Sequence, residues 1–134
     1  MRIDGGCHCG LISFEGEADP ERAQVCHCTD CQTLTGTAFR FAVPVTGESF
    51  KLSGQPTIYV KTAESGTKRE HAFCPRCGSP IYATAPGPGP KTYSIRAGTI
   101  RQRYELAPRR QIWTRSRHRW IGDLAAITAF DKQP

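Results

Sequence analysis

Apolar residues in this chain recur mostly at every second position, in short runs broken by Gly, Pro, Ser and Thr. LISFEGE (11–17), TAFRFAV (37–43), TIYVKT (57–62), REHAFC (69–74), IYATA (81–85) and TYSIRAGTI (92–100) are rich in β-branched and aromatic residues. In several of them apolar and polar residues alternate, which predicts strands with one buried face. No window of ten or more residues carries a clean helical period. The best helical signal is one or two turns at Asp30–Thr35, and DLAAITAF (123–130) reads either way. PGPGP (86–90) is a turn or short loop. The expected fold is mainly β, with antiparallel sheets and little helix. At 134 residues the chain reads as one domain, 1–134, with its core over about 3–122.

Composition narrows the setting. No stretch approaches the ~18 apolar residues that a membrane span needs, and the start MRIDGGCHCG has no hydrophobic leader. The expectation is a soluble, cytoplasmic protein. A reducing compartment disfavours disulfides, and seven cysteines is an odd number, so clustered thiols read as metal ligands. The net charge of +6 is uneven: residues 1–90 carry 8 Lys+Arg and 9 Asp+Glu, residues 91–134 carry 10 and 3. A basic tail points to an acidic ligand or a polyanion. Seven thiolates on two Zn²⁺ would lower the net charge to about +3, so part of that excess balances metal sites.

Two short cysteine pairs stand far apart, Cys7 and Cys9 in GGCHCG, Cys74 and Cys77 in FCPRCGSP. In the second, Pro75 fixes one φ of a tight turn and Gly78 can take the positive φ that such turns demand. On a regular strand the sulfurs of C-x-C lie ~7 Å apart, whereas ligands of one tetrahedral zinc lie under ~4 Å apart, so the first pair needs a bend. Gly5, Gly6 and Gly10 permit it. The four make a closed structural zinc site that ties distant parts of the chain together.

Cys26, Cys28 and Cys31 remain, all within VCHCTDC. Three protein ligands and one exchangeable position is the usual arrangement of a catalytic zinc. Three thiolates leave that ion electron-rich, a weak activator of water and a better host for a soft thiol. Residues between two ligands commonly point away from the metal, so His8 and His27 are read as non-ligands, His71 and His118 as ordinary strand and loop residues, and Asp30 as a helix cap.

GGCHCG, VCHCTDCQTLTG followed by TAFRF, FCPRCGSPI and the late IWTRSRHRW together resemble the glutathione-dependent formaldehyde-activating enzyme family, whose zinc domain is shared with a centromere protein. The resemblance runs from Gly5 to Trp120. It implies a β-tent of antiparallel sheets, a structural zinc on Cys7, Cys9, Cys74 and Cys77, and a catalytic zinc on Cys26, Cys28 and Cys31. It also implies carbon–sulfur lyase chemistry in which glutathione adds to formaldehyde. The family usually has His before the late Ile-Trp pair; here Gln111 stands there.

Arg109, Arg110, Arg115, Arg117 and Arg119 crowd one stretch with Trp113 and Trp120. They read as a solvated face, as forks for the carboxylates of a thiol substrate, or, less favoured, as contacts to nucleic-acid phosphates. Arg117 and Trp120 are the candidate substrate contacts. The expected partners are a small thiol and a small electrophile, with two Zn²⁺ per chain and no membrane. A non-catalytic zinc module binding a partner or nucleic acid is the alternative. A zinc deaminase is the least favoured reading, because H-x-E paired with P-C-x-x-C is missing.

Overall fold

The computed structural model describes residues 1–134 as ten strands, one short α-helix and five 3-10 turns. In chain order the strands are β1 (Arg2–Gly6), β2 (Ser13–Glu17), β3 (Gln24–Cys26), β4 (Arg40–Thr46), β5 (Lys51–Ser53), β6 (Thr57–Thr62), β7 (Lys68–Phe73), β8 (Pro80–Thr84), β9 (Thr92–Arg96) and β10 (Arg110–Ile112). Helix α1 (Thr29–Thr35) lies between β3 and β4. A small sheet has the order β1-β2-β5, and a seven-stranded sheet has the order β10-β3-β4-β9-β8-β7-β6. All pairings are antiparallel except that of β10 with β3. The expected mainly β architecture with little helix is what forms. None of its helices is long and apolar enough to cross a membrane.

Each of the six segments with a strand pattern contains a strand, and TIYVKT is β6 over its whole length. TYSIRAGTI leaves the large sheet after Arg96, where Ala97–Thr99 turn into a 3-10 helix, and Ile100 then bridges to Gly5. DLAAITAF is split: Arg119–Ala126 form 3-10 turns and the following residues carry no regular structure. Pro44 sits inside central strand β4, which proline normally avoids. Its carbonyl accepts from Asp19 N–H at 3.0 Å. The nitrogen of the same residue points the same way, past the end of β3, so no ladder bond is lost.

The large sheet has two unlike faces. Opposite residues share a face, so Val43 with Ile95 and Tyr82 with Ile95 point to one side, while Ala42 with Arg96, Ala83 with Ser94 and Lys61 with Arg69 point to the other. The first side packs against Ile3, Ile12 and Phe14 to form the core. Phe50 bridges the sheets, with ring centroids 6.1 Å from Phe14, 5.7 Å from Tyr82 and 4.4 Å from Tyr93. The second side is the functional one.

β1 closes tightly on the segment after β9. Arg101 N–H donates to Asp4 O at 2.8 Å, and Gln102 Nε2 to Asp4 Oδ1 at 2.7 Å. A Cβ on Gly5 would lie 2.1 Å from Thr99 O, a backbone atom that cannot swing away. Gly5→Ala is therefore expected to cost at least about 2 kcal/mol in chemical denaturation. Gly98→Ala, with nothing near its added methyl, should stay within about 0.5 kcal/mol. Equal midpoints for the two variants would show that this closure is not tight.

Candidate functional site

Both sulfur clusters form where strands stop. Beyond β1 the chain turns so that Gly10 N–H donates to Cys7 O at 3.3 Å, with Gly10 at φ 85°. Beyond β7, Gly78 N–H donates to Cys74 O at 2.9 Å, and Gly78 takes φ 77°. These turns bring Cys7 and Cys9 Sγ to 3.6 Å and Cys9 and Cys74 Sγ to 3.7 Å. With Cys77, all four sulfurs lie within 4.8 Å of one another. Ligands of one tetrahedral ion at ~2.3 Å stand just under ~4 Å apart, so the set fits zinc. Donors aim at the sulfurs: Arg76 Nε reaches Cys9 Sγ at 3.3 Å, and the Arg76 and Cys77 N–H groups reach Cys74 Sγ at 3.4 and 3.5 Å. The Ser79 hydroxyl, 3.2 Å away, and its backbone N–H hold the Cys77 thiol down to about 5.

The second cluster is local. Cys26 ends β3, Cys28 caps α1 and Cys31 lies in its first turn, with Cys31 N–H donating to Cys28 Sγ at 3.2 Å. The three sulfurs lie within 4.8 Å of one another, and no histidine or carboxylate joins them. The neighbouring Cys31 thiol, more than Cys28 and the Arg40 guanidinium, holds Cys26 down to about 4, and Cys26 in turn pushes Cys31 up. His27 is buried and faces away, its Nε2 2.9 Å from Gln111 Oε1. His8 is exposed. The expectation that both histidines stand outside the ligand sets agrees with this geometry. Asp30, read as a cap, instead pairs with Lys61 Nζ at 2.9 Å, because Cys28 already occupies the capping position.

Cys26, Cys28 and Cys31 line one end of a cleft of about 350 Å³ over the second face of the large sheet. Arg40, Arg69, His71 and Arg96 line it too. Arg40 Nη1 donates to Ser94 Oγ at 3.1 Å. Arg96 Nη2 donates to His71 Nδ1 at 3.2 Å, which fixes that nitrogen as the acceptor. Burial first, then the charges of Arg96, Lys61, Arg69 and Arg40, depress His71 to about 4, so it is neutral. Trp113 overhangs the cleft in a left-handed conformation, φ 56°, rare for a bulky residue and common where strain is held at a working site.

The C-terminal candidates lie elsewhere. Arg117 and Trp120 are exposed and do not line the cleft. Their segment is held to α1 by Gln32, whose Nε2 donates to Ser116 O at 3.2 Å and whose Oε1 lies 2.7 Å from His118 Nε2. Arg40, Arg69 and Arg96 escaped sequence reasoning. The available signal was a charged residue at the polar alternate positions of three strands.

The family model described as glutathione-dependent formaldehyde-activating enzyme matches residues 2–116. Among solved structures, the crystal structure of a Rhodobacter sphaeroides protein is 20% identical, with 81% of this chain and 98% of that chain covered and a TM-score of 0.60. At that identity the likeness is one of fold.

The two clusters should respond differently to mutation. Cys74→Ser opens the set that joins β1 to the β7–β8 turn, and should lose one zinc equivalent and at least about 8 °C of melting temperature. Cys28→Ser should also lose one equivalent, by metal analysis, with a clearly smaller melting shift, because its cluster closes only a short loop. The reverse order would sink this distinction. For His71 the folded value of about 4 lies below the ordinary 6.5, so only the unfolded chain takes up this proton between those pH values. Its contribution to stability is present above 6.5 and lost as pH falls towards 4. His71→Gln should flatten the pH dependence of unfolding in that window relative to wild type; identical slopes would refute the assignment.

Proposed function

The chain belongs to the glutathione-dependent formaldehyde-activating enzyme family, and on that premise we propose that it joins a thiol such as glutathione to formaldehyde or a similar small carbonyl compound. In this reading the chain is a single β-tent unit over residues 1–134 that works in the cytoplasm. Cys7, Cys9, Cys74 and Cys77 hold a structural zinc; Cys26, Cys28 and Cys31 hold the reactive one. The observation that carries it is the convergence of three sulfurs at the end of a cleft with no fourth side-chain ligand.

A zinc ion on three thiolates would bind and deprotonate a further soft thiol. The chain's own residues do the rest. Arg40, held up against its burial by the Cys31 and Cys26 charges, offsets the negative charge gathered on the sulfurs. His71 stays neutral and holds the Arg96 guanidinium in place. Trp113 and the sheet face restrict water around the reacting groups. The sulfur–carbon bond forms as the carbonyl π bond opens, the electron pair goes to oxygen, and a proton returns there to give the hydroxymethyl thioether; the reverse path releases both partners.

Gln111, at the place of the family's usual His, does not line the cleft. It packs behind Cys26 and Cys28 against His27, so its effect falls on the backing of the cluster.

Incubating the zinc-loaded protein with formaldehyde and glutathione, with exchange followed by NMR, should give a rate at least about tenfold above background. Cys28→Ser should return it to background. Equal rates for the two proteins would leave the three-cysteine cluster as a structural centre.

A further inference from the structure

Five arginines and one lysine line the cleft beside the three sulfurs, and no carboxylate does. Two of these cations are already answered. Lys61 pairs with Asp30 at 2.9 Å, and the Cys31 and Cys26 charges hold Arg40 up against its burial. Three thiolates around a divalent ion leave one negative charge, which Arg40 balances. Of the other four, Arg22 and Arg110 are exposed to solvent, whereas Arg69 and Arg96 on the sheet face are partly or wholly buried with no carboxylate partner.

Arg96 is the sharper case. It is only 6% exposed. Its Nη2 donates to His71, but Nε and Nη1 have no acceptor. Burial lowers its pKa to about 10, and the nearby Arg40 and Arg69 charges push the same way. A buried guanidinium with two unspent nitrogens beside two like charges is costly, and proteins ordinarily satisfy such groups. The strand register explains why this side chain faces the cleft, since Arg96 opposes Ala42 on the cleft face of β9 and β4. It does not explain why the residue is an uncompensated arginine.

We propose that the ligand of this cleft carries an oxyanion, a carboxylate or phosphate group, that docks on Arg96 with Arg69 beside it, in the same cavity as the three sulfurs. The cavity has the size of a small-molecule site. Guanidinium groups recognise carboxylates and phosphates by charge-assisted hydrogen bonds. Bare formaldehyde has no charge to pair with these groups. The anion therefore belongs to the thiol or to a larger carbonyl compound that replaces formaldehyde. This inference deepens the function proposed above and rests on it only in placing the reacting atoms at the sulfur end.

Calorimetric titration of the zinc-loaded protein tests it, with three separate probes. S-methylglutathione offers a thiol's carboxylates with its sulfur blocked, glyoxylate offers a carboxylate beside an aldehyde, and inorganic phosphate offers the oxyanion alone. At least one should bind, and its affinity should fall at least about tenfold in Arg96→Gln and also drop in Arg69→Gln. The preferred probe tells which partner brings the charge. Arg101→Gln, which removes a surface residue paired with Asp4, should bind like wild type. Because Arg96 is buried, melting curves accompany each titration, and the half-buried Arg69 variant decides the matter where Arg96→Gln fails to fold. No binding by any probe at millimolar concentration, or affinity unchanged in the folded arginine variants, would overturn the proposal. No probe turns over, so a failed formaldehyde assay leaves this outcome readable on its own.

Discussion

Sulfur atoms brought to 3.6 and 3.7 Å of one another are the constraint on which the structure depends. As thiols they are weak hydrogen-bonding groups, and as thiolates they repel. A divalent ion held there would resolve both problems, and its affinity would become part of the folding free energy. The local chain is shaped for that closeness. Gly5 and Gly6 approach the Thr99 and Ile12 carbonyls where no side chain fits. Gly10 and Gly78 turn the chain with positive φ, and Ser79 links both loops by accepting from His8 N–H at 3.1 Å. The small sheet is thereby tied to the far half of the large one at the edge of a modest core.

The large sheet sets the electrostatics of the second cluster. Strand alternation sends Val43, Tyr82 and Ile95 into the core and Arg40, Arg69 and Arg96 to the opposite side. Partly desolvated cations in a row would repel strongly if nothing negative lay nearby. The sulfurs of Cys26 and Cys31 supply that charge from the end of the row, and both act to raise Arg96 against its burial. The cluster and the basic face thus stabilise one another. What they leave over is positive: Arg69 gains nothing from the sulfurs, and Arg96 stays lowered by its burial in spite of them.

Much of the metal chemistry was legible in the sequence, because a ligand set announces itself through residue type and spacing. The partition of the seven cysteines into four and three matches the two clusters that the fold assembles. Strands with six or so residues and a clear alternation were equally plain. β1, β3, β5 and β10 were not, for a physical reason: three of them have only three residues, and β10 pairs with β3 from far along the chain. The cleft was missed because alternation marks a polar face without saying whether water or a cavity lies beyond it. REHAFC and TYSIRAGTI read as half-exposed strands, yet their arginines meet over one site. Of the dense stretch after residue 108, Arg110 and Trp113 do reach the cleft, whereas Arg117 stands exposed outside it.

The two C-x-C motifs both leave their strands, yet each gathers its cysteines on one side and sends the residue between them to the other. At Cys26 and Cys28 that other side is interior, so His27 is buried against Phe39, ring centroids 5.6 Å apart, and needs a polar partner. Gln111 provides one, and β10 is where it must be to do so, beside Val25 in register. At Cys7 and Cys9 the other side is solvent, and His8 needs no such partner. One motif therefore demands support from the distant strand β10 while the other stands alone. A glutamine can accept from His27 Nε2 as the site requires and carries no charge into the interior. The departure at position 111 is thus a change in how the cluster is backed, and leaves the groups that face the cleft as they are.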